Sequence, residues 1–157
     1  MNRKQRNIVD GVLNRKTPSS VDTIAAQRLR DDGFDYIKDA ISRSSRPRHK
    51  INGLVLLLRM AGQRSDRTGT HRMPEVFDVA ESLLGDADAA VRMRAAVVLV
   101  GVLGLLESLG APDPIEAVGG KARVRAALQL SLQASPTPTQ REMVDAVLAG
   151  IDAKTPS

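Results

Sequence analysis

Cysteine is absent from the 157 residues, which excludes disulfide stapling, thiolate nucleophiles and Cys-ligated zinc and makes a cytoplasmic location the expectation. Tryptophan is absent too, and Phe34, Tyr36 and Phe77 are the whole aromatic complement. A core must therefore be built from Leu, Val, Ile and Ala, side chains that suit closely packed helices better than a sandwich of sheets. The same scarcity leaves single-stranded nucleic acid without stacking platforms. The two histidines, His49 and His71, follow no His-x-x-x-His or Glu-x-x-His spacing, so no metal site is expected. Gly119-Gly120-Lys121 lacks the spacing of a phosphate-binding loop and reads as a helix terminator, and no Gly-x-Ser-x-Gly element occurs. No catalytic residue, cofactor or enzymatic activity is expected on these grounds.

Long apolar runs are missing as well. The longest, Ala95 to Leu106, lies between Arg94 and Glu107, well short of the roughly 20 residues that span a bilayer. It reads as a buried core helix, and no membrane partner is expected. The N-terminal stretch carries charge with no apolar run behind it, so no signal peptide is expected.

Proline and glycine punctuate what remains at intervals suited to short helices. Helical spacing runs over 3–16, from Pro18 to about Asp32 (ended by Gly33), 34–44, 47–62, 74–84, 88–109, 121–134 and 139–153, with one extra turn opened by Asp113. The inward stripes expected are Ile8, Val9, Val12 and Leu13; Val21, Ile24, Ala25 and Leu29; Phe34, Ile37, Ala40 and Ile41; Val76, Val79, Ala80, Leu83 and Leu84; and Met143, Val144, Val147, Leu148 and Ile151. Thr17 and Thr139 are the expected N-caps of the second and last helices.

An internal repeat is present. Residues 83–103 overlay 40–60 at a constant shift of 43, placing Leu84 on Ile41, Leu99 on Leu56 and Leu103 on Met60. Residues 132–151 fit at a shift of 48. The segment "LLGDADAAVRMRAAVVLVGVL" (83–103) resembles a HEAT repeat: Leu-Leu ends a first helix, an Asp-containing turn follows, and Val-Arg and Ala-Ala open a second. The resemblance implies an all-α, short right-handed α-solenoid of the HEAT or armadillo type, with about four helix pairs in a single domain over 1–157. It fits least over 1–33, and the tail 153–157 is expected to fray. The resemblance also implies an inter-repeat ladder in which Asp86 or Asp88 and Arg92 take part. Arg48-His49 and Thr139-Gln140 stand where Val-Arg is expected in the other copies, which are therefore expected to lack the ladder. By the same resemblance the function is that of a non-enzymatic scaffold or interaction module, offering a protein partner the inner surface made by the second helix of each pair.

Charge supplies the alternative. Residues 1–72 carry +9 and residues 73–157 carry −4, within a net charge of +5. The basic turn Arg43, Arg46, Arg48, His49 and Lys50 either binds phosphate, as Arg forks are shaped to do, or is a solvated turn between helices. The polar loop 62–73 adds Arg64, Arg67 and Arg72. The helix between these clusters is about 24 Å long, so they form one nucleic-acid patch only if a ligand runs along it past Arg59. Glu75, Asp78 and Glu81 read as a solvated helix face. Oligomeric state and the identity of the partner are not encoded in any motif.

Overall fold

The computed structural model describes residues 1–15, 18–62, 72–134 and 137–153. Among these, every regular element is helical: α1 (Arg3–Asn14), α2 (Ser20–Gln27), α3 (Arg30–Arg43), α4 (Pro47–Gly62), α5 (Met73–Ser82), α6 (Ala89–Ser108), the single turn α7 (Pro114–Ala117), α8 (Lys121–Gln133) and α9 (Pro138–Ala153). The protein is all-α, as its aliphatic composition implies.

Local chemistry sets most boundaries. Asn2 and Gln5 form a reciprocal capping box on α1, and Asp88 and Asp113 accept from the third backbone N–H of α6 and α7. Beyond α6 and α7, Gly110, Gly119 and Gly120 adopt the positive φ that glycine tolerates best. Two expected caps are displaced. Ser19 caps α2 through the Asp22 N–H, so Pro18 lies before the helix, and Thr17 falls outside the described residues. Thr137, not Thr139, accepts from the Gln140 N–H at the start of α9, which puts Pro138 at the first helical position.

The largest departure is between α2 and α3. The break falls at Arg28 and Leu29, followed by Arg30 at φ +52°, and not at Gly33. Gly33 lies inside α3, where a Cβ would come within 2.6 Å of the Leu29 Cβ, so the glycine permits a close pass and does not terminate a helix. Shortened to eight residues, α2 buries Thr23 and Ala26 and turns Val21 and Ile24 outward, with Val21 77% exposed. The inward stripe expected there is thus rotated.

Packing centres on α6. It lies against α4, α5 and α8, with smaller contacts to α7 and α9, while α3 packs on α4, α4 on α5, α1 on α2 and α4, and α8 on α9. Val91, Ala95, Leu99, Val102 and Leu106 of α6 are fully buried, each Leu contributing about 1.5–3 kcal/mol of transfer free energy. In length and hydropathy α6 would suffice to cross a membrane, but here neighbouring helices cover much of it. Gly101 brings α6 against Leu58 of α4: a Cβ there would meet the Leu58 Cδ2 at 3.2 Å. The stripe of α9 is only partly covered; Val144 and Ile151 are buried, whereas Met143 is exposed.

Burial also corrects the repeat register. The first helices α3 and α5 correspond at 43, with Phe34, Ile37 and Ile41 matching Phe77, Ala80 and Leu84. The second helices α4 and α6 correspond at 42: Leu54, Leu56, Leu57, Met60 and Ala61 match Ala96, Val98, Leu99, Val102 and Leu103, all buried. A shift of 43 would instead put buried Leu54 opposite exposed Val97. Between α6 and α9 the shift is 49, which places buried Gln140 where Val91 stands. The Gln140 Nε2 is buried without a hydrogen-bond partner, a cost of about 1–3 kcal/mol. Replacing Gln140 with Val is expected to raise thermal stability, by about 2–4 °C per kcal/mol gained. A calorimetric Tm equal to or below that of the parent would contradict this account of the site.

Candidate binding surfaces

The basic turn is engaged in holding α1 in place. Asn14, the last residue of α1, receives Arg46 Nη1 at 3.2 Å on its Oδ1 and Arg48 Nη1 at 3.0 Å on its backbone carbonyl, and His49 Nε2 lies 2.6 Å from the same Oδ1. Asn52 Nδ2 donates to the carbonyls of Val12, Leu13 and Arg15 at 2.9–3.1 Å. These groups satisfy carbonyls that the end of a helix leaves open, and the arginines complement the negative end of its dipole. Burial, with the nearby Arg46 charge, holds the His49 pKa below its ordinary value, so the ring adds no charge to the cluster at neutral pH. Arg43 pairs with Asp39 one turn earlier in α3. The cleft of about 530 Å³ beside the turn is lined by Asn14, Arg46, Arg48, His49 and Asn52, most of them serving this clasp.

Lys50 points elsewhere. Its Nζ lies 2.5 Å from Asp86 Oδ2 in the turn between α5 and α6, and both side chains are mostly buried. Burial would raise the Asp86 pKa, but the hydrogen bonds from Lys50 and from the Asp88 N–H hold it below the ordinary carboxylate value. At the register of 42, Lys50 is the counterpart of Arg92, so the second copy does present a basic residue to the next pair; the overlay at 43 concealed it. Ser44 and Asp86 correspond in the same way, each accepting from the backbone N–H two residues on. Arg92 itself folds back onto the carbonyls of Asp86 and Ala87, and Asp88 caps α6. Asp86, Asp88 and Arg92 thus cluster in one turn, with the contact between helix pairs made by Lys50.

Arg72, expected in an exposed phosphate-binding loop, is buried at the start of α5. Its guanidinium lies 3.9 Å from the Phe34 ring centroid and bonds Asp31, Asp35 and Glu75 at 2.5–3.2 Å. Burial alone would lower its pKa, and the three carboxylates raise it well above the ordinary value. One helix pair later, Arg123 of α8 lies over Phe77 and bonds Asp78 and Glu81. Phe34-Asp35 and Phe77-Asp78 are 43 residues apart. The first helices are therefore joined by a repeated clamp, an arginine from the next pair stacked on a phenylalanine and held by the following aspartate. Lys38 adds a 3.0 Å bond to Glu75. Glu75, Asp78 and Glu81 thus all take part in ion pairs, with Glu75 and Glu81 half-buried and Asp78 still exposed. The Phe-Asp dipeptide at the repeat spacing was a legible signal for the clamp; the arginines, which do not share one register, were not.

Arg64 and Arg67 lie outside the described residues. Arg59 projects from the outer side of α4 and has no carboxylate partner among the described residues, and Arg94 of α6 is in the same state. Near them Met93 and Val97 are exposed, Val97 by 42%, and Val55 and Leu58 are half-buried. Among the described residues no group of three acidic or histidine side chains is placed to hold a metal ion. Comparison of the chain with family models, with curated proteins and with solved structures returns no match.

Two measurements test these assignments. Lys50→Ala, which strands a largely buried carboxylate, is expected to cost about 3 kcal/mol in denaturant unfolding, whereas Arg43→Ala, which removes an exposed pair, should cost about 0.5 kcal/mol or less; equal costs would refute the distinction. The second concerns pH. The Arg72 hydrogen bond, against the effect of burial, holds Glu75 below its ordinary 4.5. That contribution to stability is complete above about pH 4.5 and is lost as pH falls through the lower folded-state value. Arg72→Gln is therefore expected to be less stable than the parent at pH 7, with the gap closing in acid. A gap independent of pH would show that the clamp acts by packing alone.

Proposed function

We propose that this chain is a non-enzymatic helical-repeat module, a short α-solenoid of stacked helix pairs, that recognises a protein partner through the outer face of its second helices, α4 and α6. Pairwise packing of α3 on α4, α5 on α6 and α8 on α9 supports the stacking, as do the two Arg-on-Phe clamps and the Lys50–Asp86 contact between successive pairs. The HEAT resemblance of residues 83–103 points the same way. The observation that carries the reading is a contrast between the rows. Among the first helices, arginines and carboxylates are spent on one another, whereas α4 and α6 leave Met93 and Val97 exposed and Arg59 and Arg94 unpaired within the described residues. A surface that mixes apolar patches with arginine is typical of protein recognition.

The groove between first helices gives catalysis no support. Lying between α3 and α5 with a volume of about 530 Å³, it is lined by Asp35, Lys38, Asp39 and Lys50, each already held by an internal ion pair. The basic turn gives less support to a nucleic-acid reading, since Arg46 and Arg48 are committed to the end of α1.

Val97→Asp should leave Tm nearly unchanged, because the side chain is exposed, and should abolish copurification of a stoichiometric protein partner, while Val21→Asp retains it. Retention by Val97→Asp and loss by Val21→Asp would refute the face. Duplex affinity that falls steeply with salt and drops on changing Arg46 and Arg48 to Glu would replace the reading with nucleic-acid binding.

A further inference from the structure

In the two central pairs, α3–α4 and α5–α6, the first and second helices carry opposite charge. Together α3 and α5 contain seven carboxylates against three bases. Together α4 and α6 contain five Lys or Arg residues against one carboxylate, Glu107, near the end of α6. Dividing the chain into halves hides this, because acidic and basic helices alternate along it. Six of these seven carboxylates, all but the exposed Asp32, are paired with Arg72, Arg123, Lys38 or Arg43. None of them reaches Arg59 or Arg94.

The contact between Gly101 and Leu58 fixes where these arginines lie. On α6, Arg94 precedes Gly101 by seven residues, two helical turns, so it lies on the edge facing α4. Arg59, about 100° round α4 from Leu58, lies on the exposed side beyond Val55. Between the two arginines are Val55 and Leu58 of α4 and Val97 of α6, with Met93 and Gly104 further round the exposed side of α6. The result is an apolar saddle flanked by two cations with no carboxylate partner among the described residues.

Deepening the reading of α4 and α6 as a protein-binding face, and resting on it, we infer that the occupant of this saddle is an acidic amphipathic helical segment of the partner protein. Its apolar stripe would lie over Val55, Leu58 and Val97, and carboxylates on either side of the stripe would meet Arg59 and Arg94. Charge complementarity selects an acidic partner over a basic one. The apolar floor selects a peptide over nucleic acid, whose backbone offers it nothing to bury.

The test is fluorescence anisotropy with the full chain and two labelled synthetic 20-residue peptides, Leu at helical i, i+3, i+4, i+7 spacing with Glu elsewhere, and the same peptide with Lys replacing Glu. The acidic peptide is expected to bind. Arg59→Glu combined with Arg94→Glu should weaken it at least tenfold and admit the Lys peptide, and Tm should stay unchanged because both residues are exposed. Gly104→Trp provides a steric check, since a Cβ there would meet nothing within 4 Å and the position is exposed; it should also weaken the acidic peptide. Equal binding of both peptides, indifference to the charge reversal, or preference for a 20-bp duplex that the reversal abolishes would each overturn the inference. A photo-crosslinking amino acid at position 97 separates the two levels. Protein adducts whose yield survives the charge reversal overturn the acidic partner and leave the module standing, whereas adducts that form only from position 21 remove both.

Discussion

Covering α6 is the constraint that organises the other helices. Twenty residues with Arg92, Arg94 and Glu107 as their only charges cannot remain in water, and a helix apolar on most of its circumference needs neighbours on several sides. Those neighbours are α4, α5 and α8. Because the available side chains are aliphatic and small, contact depends on close approach, and glycine supplies it where Gly101 meets Leu58 and Gly53 lies under Ile41. The strip of α6 left uncovered, from Met93 to Gly104, is bounded by the same geometry.

Within the two central pairs charge divides between first and second helices as well as between the halves of the chain. Between first helices, arginine crosses to the preceding helix, stacks on phenylalanine and gathers carboxylates, at Phe34 and again at Phe77. Cation–π contact and ion pairing reinforce one another where the guanidinium is partly desolvated. Between second helices the contact is aliphatic, with Lys50–Asp86 as a polar link at one end. Ion pairs neutralise most charge on one side, whereas on the other Arg59 and Arg94 have no carboxylate partner among the described residues, so the two faces differ chemically.

The densest run of positive charge illustrates how tertiary context reassigns a motif. Arg46, Arg48 and His49 look like part of a phosphate-binding turn in one dimension. In three they fasten the C-terminus of α1, whose open carbonyls attract the same donors that an anion would. Arg72 met a similar fate, drawn out of an expected loop by Asp31, Asp35 and Glu75.

By itself the sequence determined the helical class, the order and approximate bounds of the elements, and most of the core stripes of α1, α3 and α5, because periodicity, caps and proline act over a few residues. It also held, unread, the Phe-Asp dipeptide repeated at 43 and the alternation of acidic and basic helices. Only the tertiary structure decided the break at Arg28, the change of register from 43 to 42 between first and second helices, and which cations are spent. Each of these depends on what lies across a helix interface. Whether Gly33 ends a helix or packs inside one beside Met60, and whether Lys50 meets solvent or Asp86, is settled by neighbours that are distant in the chain, and no local pattern encodes them.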